Sequence, residues 1–80
     1  MHRDMDLART ILLDLEKRPY AHGWQDIEIE GHSADEISYH VRLLEQAGFI
    51  EAIDFSTLGS RHPYWRPQSI TWAGHEFLES

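Results

Sequence analysis

The spacing of apolar positions changes from one segment of the chain to the next, and each spacing predicts a different element. Ala8, Ile11, Leu12 and Leu15 recur at helical intervals and predict a first helix with one buried stripe. Asp4 is a good N-cap, because its carboxylate can accept hydrogen bonds from amides that the first turn leaves without partners. Asp6 adds negative charge where the helix dipole favours it. Lys17 and Arg18 suit the opposite end, and Pro19 stops the helix. Tyr20 to Trp24 read as a loop that turns at Gly23. From Gln25 to Glu30 the period falls to two residues. Ile27 and Ile29 then face one way and Asp26, Glu28 and Glu30 the other, which predicts a half-buried strand with an acidic outer face. Gly31 ends it.

The helical period then returns. Ser33 with Glu36 three residues on forms a capping box, in which each residue satisfies the other's amide. Ile37, Val41 and Leu44 point inward, and Asp35, Ser38, Arg42 and Glu45 form the opposite stripe. Ala47-Gly48 closes this helix before Phe49 and Ile50. Ile50 to Leu58 and Pro67 to Trp72 read as two strands joined by the loop GSRHPYWR, a β-hairpin or wing. Thr71 can cap a short final helix through His75, Phe77 and Leu78. The predicted class is α+β: helix, strand, helix, hairpin and short C-terminal helix, in one domain over residues 1–80.

Composition narrows this picture. Eighty residues make a single domain, and at that length a chain buries only about 60% of its unfolded surface. The absence of cysteine removes disulfides, thiolate metal sites and thiol nucleophiles together. The start, MHRDMDLARTILLDLEKRP, has an apolar run of only three residues between polar ones, so it reads as an amphipathic helix rather than a signal peptide or membrane span. The expectation is a soluble cytoplasmic protein with no membrane contact.

Charge adds more. The whole net charge of −7 sits between Gln25 and Asp54, where Asp26, Glu28, Glu30, Asp35, Glu36, Glu45, Glu51 and Asp54 oppose Arg42 alone. The flanking segments each balance to zero. Such a distribution opposes unassisted attraction to DNA, RNA or anionic membranes, and it suits a basic partner.

Three segments carry a resemblance. ISYHVRLLEQAGFIEA is similar to the third helix of winged-helix regulators, a helix ending in LL-x-x-A-G before a strand. SITWAGHEFL is similar to the segment that closes many wings and opens the last helix. Together with RDMDLARTILLDLE at the start, they resemble an uncharacterised bacterial and prophage family of unknown function. The resemblance implies a compact winged-helix-like fold and frequent carriage on mobile elements, but no activity. It is also compatible with a homodimer, since such families often continue into a helix that can dimerise. One departure stands out: only Gly31, His32 and Ser33 lie between the predicted acidic strand and the ISYHVRLL helix. The positioning helix of a helix-turn-helix pair is therefore missing or replaced by the strand.

Little in the chain suggests catalysis. It has no glycine-rich phosphate loop, no H-E-x-x-H and no nucleophile elbow. His2, His22, His32, His40, His62 and His75 are scattered without metal-ligand spacing. No metal, cofactor or enzymatic activity is expected, and His40 and His75 read as structural groups that hydrogen-bond helix to wing.

Two binding readings remain. For DNA, Ser38, Tyr39 and Arg42 would meet base edges, while Arg61 and Arg66 in the wing would suit a minor groove. Against it stand Asp35 and Glu36 at a helix N-terminus, where phosphates prefer to sit, although capping accounts for their presence without any function. For protein, one acidic surface is the strand face (Asp26, Glu28, Glu30) and another is the helix face (Asp35, Glu36, Glu45). Carboxylates on a strand face repeat at roughly 6.5–7 Å, close to the spacing of successive phosphates on one DNA strand. The loop residues Arg61, Tyr64, Trp65 and Arg66 match the composition of binding hot spots. The leading expectation is a small acidic, phage-type inhibitor or adaptor, anti-CRISPR-like, docking as a DNA mimic on a basic surface of a host protein or ribonucleoprotein complex. The alternative is a winged-helix transcriptional regulator that binds DNA.

Overall fold

Each helix begins where a side-chain oxygen replaces a missing backbone acceptor. In the computed structural model, which describes residues 1–18, 26–55 and 65–79, the elements are α1 (Met5–Lys17), α2 (Ala34–Gln46), β1 (Ile50–Asp54), β2 (Trp65–Ile70) and α3 (Trp72–Glu79). At the start of α1, Asp4 Oδ1 accepts from the amides of Asp6 (2.9 Å) and Leu7 (3.2 Å). The helix ends at Arg18, whose extended backbone (φ −75°, ψ 142°) is the one a residue before proline prefers. At the start of α2, Ser33 Oγ accepts from the Glu36 amide (3.1 Å) and Glu36 Oε1 from the Ser33 amide (3.2 Å), completing the capping box. Gly48, at φ +83°, lets the chain turn out of α2, with Phe49 N–H donating back to Leu44 O (3.0 Å). Thr71 Oγ1 accepts from Gly74 N–H (3.1 Å) and donates to Gly48 O (2.6 Å), so the cap of α3 is tied to the exit of α2.

The core forms where the buried faces of α1 and α2 meet β1: Leu7, Ala8, Ile11, Leu12 and Leu15 pack on Ile37, Val41, Leu44 and Ile50. Each such large aliphatic, fully buried, stabilises the fold by roughly 1.5–3 kcal/mol relative to exposure. Ile27, Ile29, Trp65, Ile70 and Leu78 fringe this cluster. Phe77 brings α3 in by stacking on Phe49, with ring centroids 4.8 Å apart.

β1 and β2 pair antiparallel, with Glu51 opposite Ser69 but Ala52 opposite Pro67, so Gln68 is an extra residue in β2. This bulge matters for packing. Pro67 is buried and Ile70 packs on the core. They are three residues apart, and an unbroken strand would send them to opposite faces. β2 also begins earlier than expected, so Trp65 and Arg66 belong to the strand rather than to the connecting loop. Residues 56–58, expected in the first strand, lie outside the described residues.

The strand expected at Gln25 to Glu30 does not form over residues 26–30, and Gln25 is outside the described residues. The burial alternation survives: Ile27 and Ile29 are half-buried, while Asp26, Glu28 and Glu30 are exposed. What is missing is a pairing edge. Trp65 N–H, which a neighbouring strand would use, instead donates to Ser38 Oγ at 2.9 Å. Two residues on, the same edge of β2 reaches Pro67, which has no N–H to give. The described residues thus form an α+β arrangement of three helices and a two-stranded hairpin. Among them, no helix is long and apolar enough to cross a membrane.

Candidate functional site: an acidic groove beside α2

The acidic segment is held in place by arginines. Arg18 fixes its guanidinium on Asp14, with Nε and Nη2 both donating to Oδ2 (3.1 and 2.8 Å), and Nη1 then donates to Asp26 O (2.9 Å). The Asp26 carboxylate pairs with Arg66 at 2.7 Å. The Arg66 guanidinium also lies 5.7 Å from the ring centre of Phe55. Gly31, at φ +87°, turns the chain into α2, with His32 N–H donating to Ile29 O (3.2 Å).

Between this segment, the N-terminus of α2 and Arg66 lies an open groove of about 780 Å³. Ile27, Ile29 and Ile37 supply its apolar surface, and Asp26, Glu28, Glu30 and His32 its polar rim. Glu28 and Glu30 are exposed and make no ion pair among the described residues. Asp35 is exposed in the first turn of α2, where the helix dipole favours its charge. Glu36 is committed to the cap. The Ser33 amide, then the His32 ring at 3.4 Å, hold its carboxyl below the ordinary value of 4.5.

Several expected site residues prove to be structural. Ser38, expected on the outer stripe of α2, is buried as the acceptor that anchors β2. The arc of α2 facing the hairpin is wider than the apolar residues alone suggest. Trp65 is half-buried against the core rather than presented as an interaction anchor. Arg66 and Asp26 spend their charges largely on each other. Tyr39 is half-buried, edge-on to His40 with centroids 5.4 Å apart. Glu45 is half-buried. Arg42 is exposed and makes no ion pair among the described residues. Arg61 and Tyr64 lie outside the described residues, as does His62.

The histidines link helix to helix, not helix to wing. His40 is 1% exposed. Its Nε2 accepts from Asp4 N–H (2.8 Å), and its Nδ1 donates to Glu36 O (2.7 Å), so it joins α2 to the cap of α1. His75 Nδ1 lies 3.1 Å from Glu16 Oε2 and joins α3 to α1. One signal for His40 was present in the sequence: it lies three residues after Ile37 and four before Leu44, inside the buried arc of α2. The Arg18 and Arg66 tethers had no such signal, because their partners are set by tertiary contact.

The groove thus sets carboxylates on a rim above an apolar floor. A family described as "Hypothetical protein (DUF2513)" matches residues 2–80. An uncharacterized protein of Haemophilus influenzae is 42% identical over 80 residues, which cover 99% of this chain and 66% of that protein. The chain therefore spans just under two thirds of that relative's length. No solved structure matches. With a family match running over nearly every residue and a relative at this identity, the chain belongs to the family described as "Hypothetical protein (DUF2513)".

Proposed function

We propose that the protein is a winged-helix-like, non-enzymatic binding module whose acidic groove docks on a basic surface of a partner protein or ribonucleoprotein complex. In this reading α2 occupies the place of a recognition helix and the β1–β2 hairpin that of a wing. The observation that carries it is the placement of Glu28 and Glu30, both exposed, on an open groove with an apolar floor, with Asp35 exposed in the first turn of the helix that borders it. Arg66, the cation lining that groove, is engaged with Asp26. A lysine or arginine entering there meets carboxylates with its head group while its stem covers Ile27 and Ile29. The concrete form is a cytoplasmic, phage-type inhibitor, anti-CRISPR-like, that occupies a groove built for nucleic acid.

The test is a pull-down from host lysate at low and high salt, run in parallel with a variant carrying Glu28→Lys, Glu30→Lys and Asp35→Lys. Capture should fall with salt and be lost in the variant; equal capture by the variant refutes the reading. A second reading, duplex binding, is favoured by one observation, the exposed Arg42 on α2. Good binders neutralise on the order of 6–10 phosphates, and α2 offers this one exposed cation. Retardation of DNA from its own locus at low salt, lost on Arg42→Ala, would favour it over the first.

A further inference from the structure

The hairpin has two edges, and among the described residues a side chain and a proline close one of them while no strand pairs with the other. The hydrogen bond from Thr71 N–H to Phe49 O (2.9 Å) sets the phase of the pairing. In an antiparallel ladder, alternate residues direct their backbone groups toward the partner strand. Phe49, Glu51 and Ile53 therefore face β2, and Ile50, Ala52 and Asp54 face away. Trp65 confirms this phase independently. It lies opposite Asp54, and its N–H goes to Ser38 Oγ instead of to β1. The outer edge of β2 is thus closed by Ser38 and by Pro67. The outer edge of β1 pairs with no strand among the described residues.

Edges of this kind are normally blunted by proline, charged side chains, a bulge or a covering segment. β1, with the sequence IEAID, has neither proline nor lysine, its charges are the two acids Glu51 and Asp54, and the bulged residue lies in β2. Beside this edge, on the face away from the core, Ile53 and Phe55 are each 41% exposed. We propose that the edge of β1 pairs antiparallel with the same edge of a second copy, with the two-fold axis at Ala52. Ala52 then exchanges both backbone hydrogen bonds with Ala52 of the second copy. Ile50 lies opposite Asp54, and Glu51 opposite Ile53, so no acid faces an acid. Shifting the centre to Glu51 would oppose two glutamates at the closest cross-strand distance, and shifting it to Ile53 would leave part of the strand unpaired. The Ala52 register pairs all five residues of β1.

The contact is small against a standard interface of roughly 1,200–2,000 Å², so the dimer is weak, with a Kd of order 0.1 mM. Because each copy carries −7, association strengthens with salt, opposite to the salt dependence expected for a basic partner. Sedimentation equilibrium over a wide concentration range reads the association. A monomer at every concentration up to about 1 mM overturns the proposal. The register is read by charge at position 53. Ile53→Glu sets a glutamate against Glu51 of the opposite copy at each of two symmetric places and should raise Kd about tenfold. Ile53→Lys sets lysine against that glutamate and should keep or tighten the dimer. Leu13→Glu and Leu13→Lys, at an exposed position on α1, control for net charge alone. Equal weakening by both position-53 variants, or the same divergence at position 13, overturns the Ala52-centred pairing. Amide exchange at Ala52 should slow as concentration rises, and no change there likewise counts against it.

Discussion

His40→Leu is the sharpest test of how the two long helices are joined. Leucine nearly fills the volume of the imidazole, so the change removes two hydrogen bonds while opening little cavity. A backbone amide can only donate, so the 2.8 Å contact with Asp4 N–H makes Nε2 an acceptor. Nδ1 therefore carries the hydrogen that reaches Glu36 O at 2.7 Å. On replacement, Glu36 O keeps the main-chain bond that α2 gives it, and losing the ring's donation costs about 0.5–1.5 kcal/mol. The Asp4 amide loses its acceptor, which costs about 1–3 kcal/mol. Asp4 is exposed, so water can reach that amide, and the lower half of the range applies. The sum is about 2 kcal/mol, a large share of the roughly 4–12 kcal/mol expected for a domain of this size.

Guanidinium unfolding followed by circular dichroism measures the loss. Thermal unfolding should show a Tm lower by roughly 8–16 °C. Amide exchange gives the local readout: Asp4 should exchange faster in the variant by more than the global change explains. A loss below about 0.5 kcal/mol, the range of an ordinary surface substitution, would refute the clamp, as would an unchanged Asp4 amide.

Two further outcomes follow from single contacts. The Glu36 carboxyl, held below its ordinary value by the Ser33 amide and then by His32, stabilises the fold fully above pH 4.5, and that contribution is lost as pH falls through its lower folded-state value. The stability gap between the wild type and Glu36→Gln should therefore be full at neutral pH and shrink in acid; a gap constant across that range, read from urea midpoints, contradicts the capping geometry. Gly74→Ala should destabilise by about 1–3 kcal/mol although alanine is the better helix former, because the added Cβ would strike Phe49 O and lie 2.6 Å from Ile70 Cγ1; an unchanged or raised Tm refutes that close approach of α3 to the hairpin.

The helices were legible in the sequence because their determinants are local. Asp4, Ser33 with Glu36, and Thr71 each act within one turn of the residues they cap, and the α1 stripe repeats at 3.6 residues whatever lies across from it. Strand pairing is different. The alternation of Ile27 and Ile29 correctly predicted which side chains turn inward. Whether those residues join a sheet depended on Ser38 and Pro67, far along the chain, and on where the hydroxyl of Ser38 points. Pro67 carried a signal for this, since proline within a strand marks an edge or a bulge; here it marks both. Helical spacing puts Ser38 on the stripe with Asp35, Arg42 and Glu45, yet it sits within one turn of the inward Ile37 and Val41, and its oxygen satisfies an amide that would otherwise be buried without a partner.

The acidic stretch illustrates the same division. By sequence only Asp35 and Glu36, at the start of a helix, have a structural explanation; in the fold the carboxylates have separate roles. Asp26 is neutralised by Arg66, Glu36 holds the α2 cap, and Asp35 gains from the helix dipole. Glu28 and Glu30 have no comparable structural role among the described residues. Reversing Asp35 therefore removes a dipole term of about 0.3–1 kcal/mol along with any binding role. Reversing Glu28 and Glu30 alone should shift stability by no more than about 0.5 kcal/mol. If those two carboxylates contribute to contact with a basic partner, their double reversal must lower affinity while leaving the unfolding midpoint nearly unchanged. A midpoint that falls in step with affinity would mean that they belong to the fold. The docking proposal would then lose its two unencumbered charges.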